Sequence, residues 1–327
     1  MRILPKILLV FVFVLNGIIG HSQNESYLLP LDNRVAVNPS FAGLNRNNSY
    51  RTGNQYYFVN AQETYNLFYA SWDAYAEKLK GGVAINFGQG LISQGNISTS
   101  EFGFSYSGFP IKTKNGEILL TVGTNFVVAT KQWTVAFLDK MLSNKDDPSS
   151  SPGNEFLRYT LTKPKIGFLW TNSSMHLGLT VAAPYRMNIA SDAIESTEDT
   201  TPLSLVFYLS KNIDKKIRDL YSKPFLLSPE LIVFYHEESI YSRLRLISEH
   251  TDKTWGFFIQ NDYTNNVHSL GGTIGYRQNF YRLNLNAGMG LPKISKDSSF
   301  ICELSLSIII PPFNYSQIYP WSGNNKN

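Results

Sequence analysis

Residues 281–289 read Tyr-Arg-Leu-Asn-Leu-Asn-Ala-Gly-Met, so that apolar side chains alternate with polar or small ones. Successive side chains of a β-strand point to opposite faces, and the alternation therefore predicts a strand with one apolar and one polar face. No segment of similar length has a strong helical period, so the sequence predicts an all-β fold. The same two-residue period recurs along the chain, most clearly at residues 83–88, 102–106, 176–181 and 303–308.

The N-terminus has the layout of a secretory signal peptide. A short basic region ends at Lys6, residues 7–15 form an unbroken apolar run, and the small residues Gly20 and Ser22 follow. The apolar run is shorter than the about 20 residues that a membrane-spanning helix needs. We therefore predict a signal peptide over residues 1–22, cleaved after Ser22 or, as a second choice, after Gly20. An uncleaved N-terminal membrane anchor is the alternative.

The composition favours a β-protein embedded in a membrane. Of the 327 residues, 17% are charged and 14% are aromatic, with 19 Tyr and 21 Phe. Ordinary soluble domains carry about 25% charged residues. Because the chain is predicted to be exported, is rich in aromatics and has no long apolar run after the signal region, the pattern indicates an outer-membrane β-barrel. The net charge of +4 gives no electrostatic case for nucleic-acid binding.

The alternating runs predict a transmembrane antiparallel up-and-down β-barrel of about 14 strands. Nine to eleven tilted residues cross a bilayer as a strand, and an even strand count places both chain ends on one side. Long gaps after the fifth and seventh strands predict the outer loops, because periplasmic turns are short in bacterial barrels. The predicted strands span residues 49–60, 63–72, 81–90, 97–108, 116–131, 156–170, 174–183, 202–211, 225–236, 240–249, 254–263, 267–278, 280–289 and 299–310.

These observations divide the chain into four parts. We predict a signal peptide at residues 1–22, a periplasmic N-terminal segment at 23–47, an outer-membrane barrel at 48–310 and a C-terminal tail at 311–327.

The N-terminal segment contains the string Asn38-Pro39-Ser40-Phe41-Ala42-Gly43. It resembles the Asn-Pro-Ala-Tyr-Ala-Gly signature of the PorP/SprF family, outer-membrane proteins of type IX secretion in Bacteroidetes. In that family the signature follows the signal peptide and precedes the barrel, as it does here. Weaker resemblances to the family's strands extend over nearly all of the mature chain, at residues 48–56, 80–85, 165–168, 175–185 and 302–307.

Two features depart from the family pattern. The usual Ala-Tyr pair is Ser40-Phe41 in this chain, and Pro311-Pro312 follows the last strand where the family often ends in a terminal aromatic. Because a terminal aromatic commonly serves as a barrel-assembly signal, either the tail extends beyond that signal or assembly recognition differs.

The resemblance implies a non-enzymatic component of type IX secretion that assists export or surface anchoring of a cargo protein. The implied partners are outer-membrane lipid, other secretion components and a secreted adhesin or its type B C-terminal sorting domain, with gliding motility or attachment as the downstream biology. The predicted outer loops contain two candidates for contact outside, residues 148–152 and 192–199. An outer-membrane porin or small-solute channel is the main alternative. A secreted soluble β-sandwich and an outer-membrane enzyme are the others.

We interpret the motif segment as a periplasmic cap or plug strap. The Asn38-Pro39 pair favours a fixed turn, and Gly43 can take a backbone conformation closed to other residues. Phe41 is a candidate apolar anchor in the mouth of the barrel. An ordered lead-in with no role beyond folding is the alternative.

Charged residues on the polar phase of the late strands are expected to face the lumen. They form either a structural ion-pair network or a selectivity filter. The candidate lumen charges are Arg243, Arg245, Arg277, Arg282 and Glu303.

The sequence predicts no catalytic, cofactor or metal site. It has no nucleophile elbow, phosphate loop or dinucleotide-binding glycine pattern. His236, Glu237 and Glu238 lack a further ligand at the spacing that zinc requires. Cys302 is the single cysteine, so no internal disulfide can form.

Overall fold

The computed structural model shows a closed antiparallel β-barrel with a segment of chain inside it. It describes residues 30–44, 46–58, 64–92, 97–112, 118–133, 158–172, 174–182, 185–187, 203–215, 225–236, 239–250, 252–264, 266–278, 280–291 and 299–310.

Sixteen strands lie within these residues, and each pairs antiparallel with its neighbours. They are β1 (Asn48–Phe58), β2 (Thr64–Ala76), β3 (Gly81–Ile92), β4 (Ile97–Lys112), β5 (Ile118–Trp133), β6 (Arg158–Asn172), β7 (Met175–Ala182), β8 (Tyr185–Met187), β9 (Ser204–Lys211), β10 (Ile213–Lys215), β11 (Phe225–His236), β12 (Ser239–His250), β13 (Lys253–Asp262), β14 (Val267–Gln278), β15 (Tyr281–Gly290) and β16 (Phe300–Ile310).

The helical elements of the described chain are short. One helical turn spans Arg34–Val37, and two 3-10 turns span Pro39–Phe41 and Glu77–Leu79. None of the helices in these ranges has the length and apolar character needed to cross a bilayer.

The barrel closes because the last strand pairs with the first. β16 pairs with β1 along the whole of β1, and β9 joins β7 to β11 on the far side. β8 pairs with β6 and so continues β7 at the same position in the sheet. β10 pairs with β11 and so continues β9 in the same way. When β8 and β10 are counted as parts of β7 and β9, the sixteen strands form a barrel of fourteen strands, which confirms the predicted fold.

Most strand bounds agree with the prediction to within a few residues, and two differences have a physical cause. β2 continues past the predicted end at residue 72 to Ala76, because residues 73–76 still pair with β3 although the run of large apolar residues ends at Trp72. β4 continues to Lys112 through Pro110, where the register shifts between Gly108 and Ile111. Such an irregularity tolerates a proline that lacks a backbone N–H.

The two faces of the sheet carry opposite side chains. Serine, threonine and asparagine side chains on the inner phase are buried, whereas large apolar side chains on the outer phase remain exposed. A closed barrel satisfies every strand's backbone groups, so this apolar outer face can lie in lipid. Representative outer residues are Phe68, Phe87, Phe102, Phe104, Phe126, Phe168, Ile274 and Leu285.

The two ends of the barrel differ. At one end, the turn end, β6 stops at Asn172 and β7 starts at Met175, and β14 stops at Gln278 and β15 starts at Tyr281. At the opposite end, the loop end, residues 134–157 separate β5 from β6. β1 begins and β16 finishes at the turn end, so both ends of the barrel's chain lie on one side.

Candidate functional site

Residues 30–44, which we call the belt, run around the inner wall of the barrel close to the turn end. From its first to its last residue, the belt contacts strands of decreasing number, from β16 to β2. Asp32 contacts β12, β15 and β16, and Arg34 contacts β11. Asn38 contacts β6 and β7, and Gly43 contacts β2. The belt therefore completes almost a full circuit before β1 begins.

The Asp32 carboxylate holds the start of the belt. Arg245 Nη2 donates to Oδ1 at 2.8 Å, and Asn284 Nδ2 and Ser305 Oγ donate to Oδ2 at 3.0 and 2.5 Å. Arg245 Nη1 also donates to the Leu31 carbonyl oxygen at 2.8 Å. Burial alone would raise the pKa of Asp32, but Arg245 and the two side-chain donors outweigh it and hold the pKa below its usual range. Asp32 is therefore ionised and fully partnered.

Glu303 on β16 connects the belt to both sides of the β1–β16 junction. Its Oε2 accepts from the Leu31 N–H at 2.8 Å, and its Oε1 accepts from the Tyr69 hydroxyl at 2.9 Å. Tyr69 lies on β2, so its side chain crosses β1 at Gly53, where an added Cβ would lie 2.5 Å from the hydroxyl oxygen. Glu303 is fully buried.

The motif begins with a capped 3-10 turn. Asn38 precedes the turn, and its Oδ1 accepts from the Ser40 N–H at 2.9 Å, as N-cap residues do. Pro39 occupies the first position, where the missing N–H costs nothing. Asn38 Nδ2 donates to the Phe168 carbonyl oxygen at 3.1 Å, so the same side chain caps the turn and ties it to β6.

Glycines in the barrel wall make room for the motif. A Cβ added at Gly82 of β3 would lie 1.8 Å from the Ala42 carbonyl oxygen, and one at Gly167 of β6 would lie 2.2 Å from Asn38 Oδ1. At Gly123 of β5 it would lie 2.4 Å from a backbone nitrogen of the motif. These distances are shorter than real contacts, so any larger residue would displace the belt.

Gly43 ends the motif in a conformation that favours glycine. Its φ of +60° is in the left-handed region, and an added Cβ would lie 2.6 Å from the Ala74 carbonyl oxygen. Its N–H donates to Asp73 Oδ2 at 3.1 Å, and Asp73 forms an ion pair with Arg51 of β1. The end of the motif is therefore fixed to the first two strands.

Phe41 is the apolar centre of the belt. It is 7% exposed, and its ring meets that of Tyr208 edge-on at 5.0 Å between centroids. The Tyr208 hydroxyl donates to Glu230 at 2.8 Å, and Arg34 lies 3.5 Å from the same carboxylate. The cluster around Phe41 comprises Val35, Val37, Ala42, Leu44, Ala84, Leu169, Val206, Tyr208, Ile232, Phe234 and Tyr241.

A second apolar cluster lies further towards the loop end, on the inner faces of five strands. Its members are all at most 5% exposed, so these apolar side chains are buried inside the barrel. They are Tyr57, Tyr65, Phe258, Val267 and Ile301.

The candidate lumen charges fall into two groups. Three are buried on the inner face at 0 to 2% exposure: Arg243, Arg245 and Glu303. Arg277 and Arg282 instead lie at the turn end, where both pair with Glu249. The Arg277 side chain is 56% exposed. The position of each residue in the strand period predicted that its side chain points into the barrel. Whether the charge is buried depends on how far the residue lies from the end of the barrel.

Sequence reasoning did not single out Asp32, Tyr69 or the wall glycines. The available signal was that the wall glycines share the inward phase of their strands, because positions without side chains leave space for a second layer of backbone. The pairing of Asp32 with Ser305 spans 273 positions of sequence, and no local pattern indicates it.

Several predicted features lie outside the described residues: the signal peptide, the loops at 148–152 and 192–199, and the tail at 311–327. Within the described ranges, no group of three or more His, Cys, Asp or Glu side chains is arranged to hold a metal ion.

The fold and the luminal segment together define a membrane β-barrel with an internal N-terminal belt. The family model described as type IX secretion system membrane protein PorP/SprF matches residues 22–308. The chain belongs to the PorP/SprF family, which confirms the resemblance inferred from the motif.

Solved structures of similar shape are bacterial proteins of low sequence identity. CdiB from Acinetobacter baumannii is 10% identical, with a TM-score of 0.37 over 80% of this chain and 60% of CdiB. The outer membrane protein Omp33 of A. baumannii is 6% identical, with a TM-score of 0.43 over 81% and 99%. The β domain of the Bordetella autotransporter BrkA is 8% identical, with a TM-score of 0.42 over 80% and 98%. No curated protein matches the chain.

Proposed function

We propose that this protein is a non-enzymatic outer-membrane component of type IX secretion that helps to export a cargo protein or anchor it at the cell surface. The proposed cargo is a secreted adhesin with a type B C-terminal sorting domain. The observation that carries the proposal is the belt, whose residues 35, 37 and 40–42 are at most 7% exposed inside the barrel. A barrel built around such a segment is suited to anchoring and docking more than to solute flow.

The orientation follows from the lengths of the connections. Short turns face the periplasm and long loops face outside in bacterial barrels, so the turn end is periplasmic. The belt then lies at the periplasmic mouth, and the connections at the loop end face the cargo. Other secretion components reach the barrel from the turn end, and lipid surrounds its apolar wall. Gliding or attachment follows from the cargo that is displayed.

Deletion of the gene tests the secretion role. We expect the deletion strain to retain its adhesin inside the cell or release it to the medium, and the intact gene to restore surface display. Protease accessibility of the adhesin on intact cells measures the amount displayed. A deletion strain with normal surface adhesin would contradict the proposal.

The alternative function is that of a porin, and a conductance measurement on the same barrel tests it. A porin needs an open lumen, whereas the belt and the apolar cluster at Tyr57 and Phe258 fill parts of it. We expect the purified full chain to show no steady conductance in a planar bilayer. A large, stable conductance from the folded wild-type barrel would favour the porin instead.

A further inference from the structure

The pairing of β1 with β16, which we call the seam, is the contact that closes the barrel. It runs from Asn48 opposite Ile310 to Phe58 opposite Phe300. These are the first and last strands, so the seam joins the parts of the barrel that are furthest apart in sequence. Loop closure of that length is entropically unfavourable until the new contacts compensate.

The start of the belt is bound by residues on both sides of the seam. Glu303 of β16 accepts from the Leu31 N–H, and the same carboxylate accepts from Tyr69 of β2 across Gly53 of β1. The bonds to Glu303 therefore join the belt, β16 and β2. In an open barrel, β16 would be separated from β2, and this arrangement would be lost.

The two ends of the belt lie on opposite sides of the seam. Asp32 is held by donors from β12, β15 and β16, the last of which is Ser305. Gly43 is held by Asp73 of β2, which pairs with Arg51 of β1. The belt thus spans the inner wall from one side of the seam to the other, and its binding site is complete only after β1 and β16 have joined.

We propose that the belt is a closure lock: it docks fully only on a barrel whose seam has formed, and docking then holds that seam shut. A segment that binds the closed barrel more tightly than the open one stabilises the closed barrel by its binding free energy. This role concerns the barrel's integrity and does not depend on which cargo the protein serves.

A disulfide across the seam tests whether the belt holds the seam shut or only packs against the barrel wall. Asn54 and Leu304 are direct cross-strand neighbours on β1 and β16, and both are on the lipid-facing phase. The seam protein carries N54C and L304C, and a matched control carries I274C and L285C, a neighbouring pair on β14 and β15. All proteins carry C302S, so that only the intended cysteines react.

The Asp32→Asn substitution is then introduced into the uncrosslinked, seam-crosslinked and control-crosslinked full chain. The readout is the heat-induced loss of the compact barrel band in electrophoresis without reduction. We expect D32N to lower the closed-to-open ratio roughly a hundredfold or more in the uncrosslinked and control proteins, as loss of a buried ion-pair partner does. In the seam-crosslinked protein we expect its effect to be abolished or strongly reduced.

An equal loss in all three proteins would overturn the lock, because it would make the belt a general packing element. No loss in any of them would overturn it as well. If D32N fails to assemble, Tyr69→Phe removes only the hydroxyl that reaches Glu303 over Gly53. We expect Y69F to give the same pattern with a smaller shift, and an equal shift in the two crosslinked proteins would contradict the proposal.

Discussion

Arg245 and Asp32 form a buried ion pair, with 2.8 Å between Nη2 and Oδ1, that joins the belt to β12 of the barrel wall. The Arg245 side chain is 2% exposed and that of Asp32 is 11% exposed. Buried charges are costly unless they are paired and hydrogen-bonded, and this pair meets both conditions. The belt is therefore tied to the wall by a contact in which neither partner can be removed alone without leaving the other uncompensated.

The losses of stability caused by removing the two members of the pair are expected not to add. D32N or R245M alone leaves a buried group uncompensated and is expected to lower the free energy of unfolding by about 3–5 kcal/mol. The D32N/R245M double variant is expected to lose less than the sum of the two. Urea unfolding of the barrel in lipid, followed by tryptophan fluorescence, measures each value. Additive losses would contradict the coupling, and the exposed Glu77→Gln change serves as a control.

The wall glycines are expected to tolerate no side chain. Gly82→Val would place atoms in the space of the Ala42 carbonyl group, so the belt must move away from β3. Overpacking of this kind costs about 1–3 kcal/mol or more. Gly272→Val is the matched control, because Gly272 is exposed on the outer phase and an added Cβ meets its nearest atom at 3.7 Å. Proteolysis of the belt in the purified barrel measures the displacement, and equal protection in both variants would refute it.

Phe41→Ala is expected to loosen the centre of the belt. The change removes the ring that packs against Tyr208, and truncation of a buried Phe costs about 3–5 kcal/mol. Faster hydrogen exchange at the backbone amides of residues 35–44 is the expected readout. Phe102→Ala is the control, since Phe102 is 56% exposed on the outer face. Unchanged exchange in F41A would show that the ring is not an anchor.

Acid is expected to release the belt only below about pH 4. The pKa of Asp32 is lowered in the folded protein, so its contribution is fully present above the unfolded value near 3.9 and declines as the pH falls further. The unfolded state then binds a proton that the folded state does not. The urea midpoint is therefore expected to show no Asp32-dependent change between pH 7 and 5. Between pH 4 and 2.5 it is expected to fall less steeply in D32N than in the wild type, and equal slopes would contradict this.

The strands were predictable because their pattern is local. The predicted spans 225–236 and 267–278 coincide with β11 and β14, and the predicted span 280–289, where apolar residues alternate with polar or small ones, lies within one residue of β15. The even strand count, the closed barrel and the family followed from the same pattern together with the Asn38–Gly43 motif. These features depend on the strand period and on a short string of residues, and both can be read from neighbouring positions.

The path of the belt was not predictable, because its contacts are non-local. Asp32 meets Arg245 at a separation of 213 positions, and the Asn38 amide meets Phe168 at 130. Asp32, Leu31 and Tyr69 carry no pattern that distinguishes them from solvated residues. The phase of Arg277 and Arg282 was apparent from sequence, but their position at the rim depends on where the strands end.

The close fit between the wall glycines and the motif has an evolutionary consequence. A methyl group at Gly82 or Gly167 would overlap atoms of Ala42 or Asn38, so a change on one side is tolerable only with a matching change on the other. Among related chains, a bulkier residue at either wall position should accompany an altered or shortened motif. A set of homologues in which these positions vary independently would show that the wall and the segment it encloses evolve as separate parts.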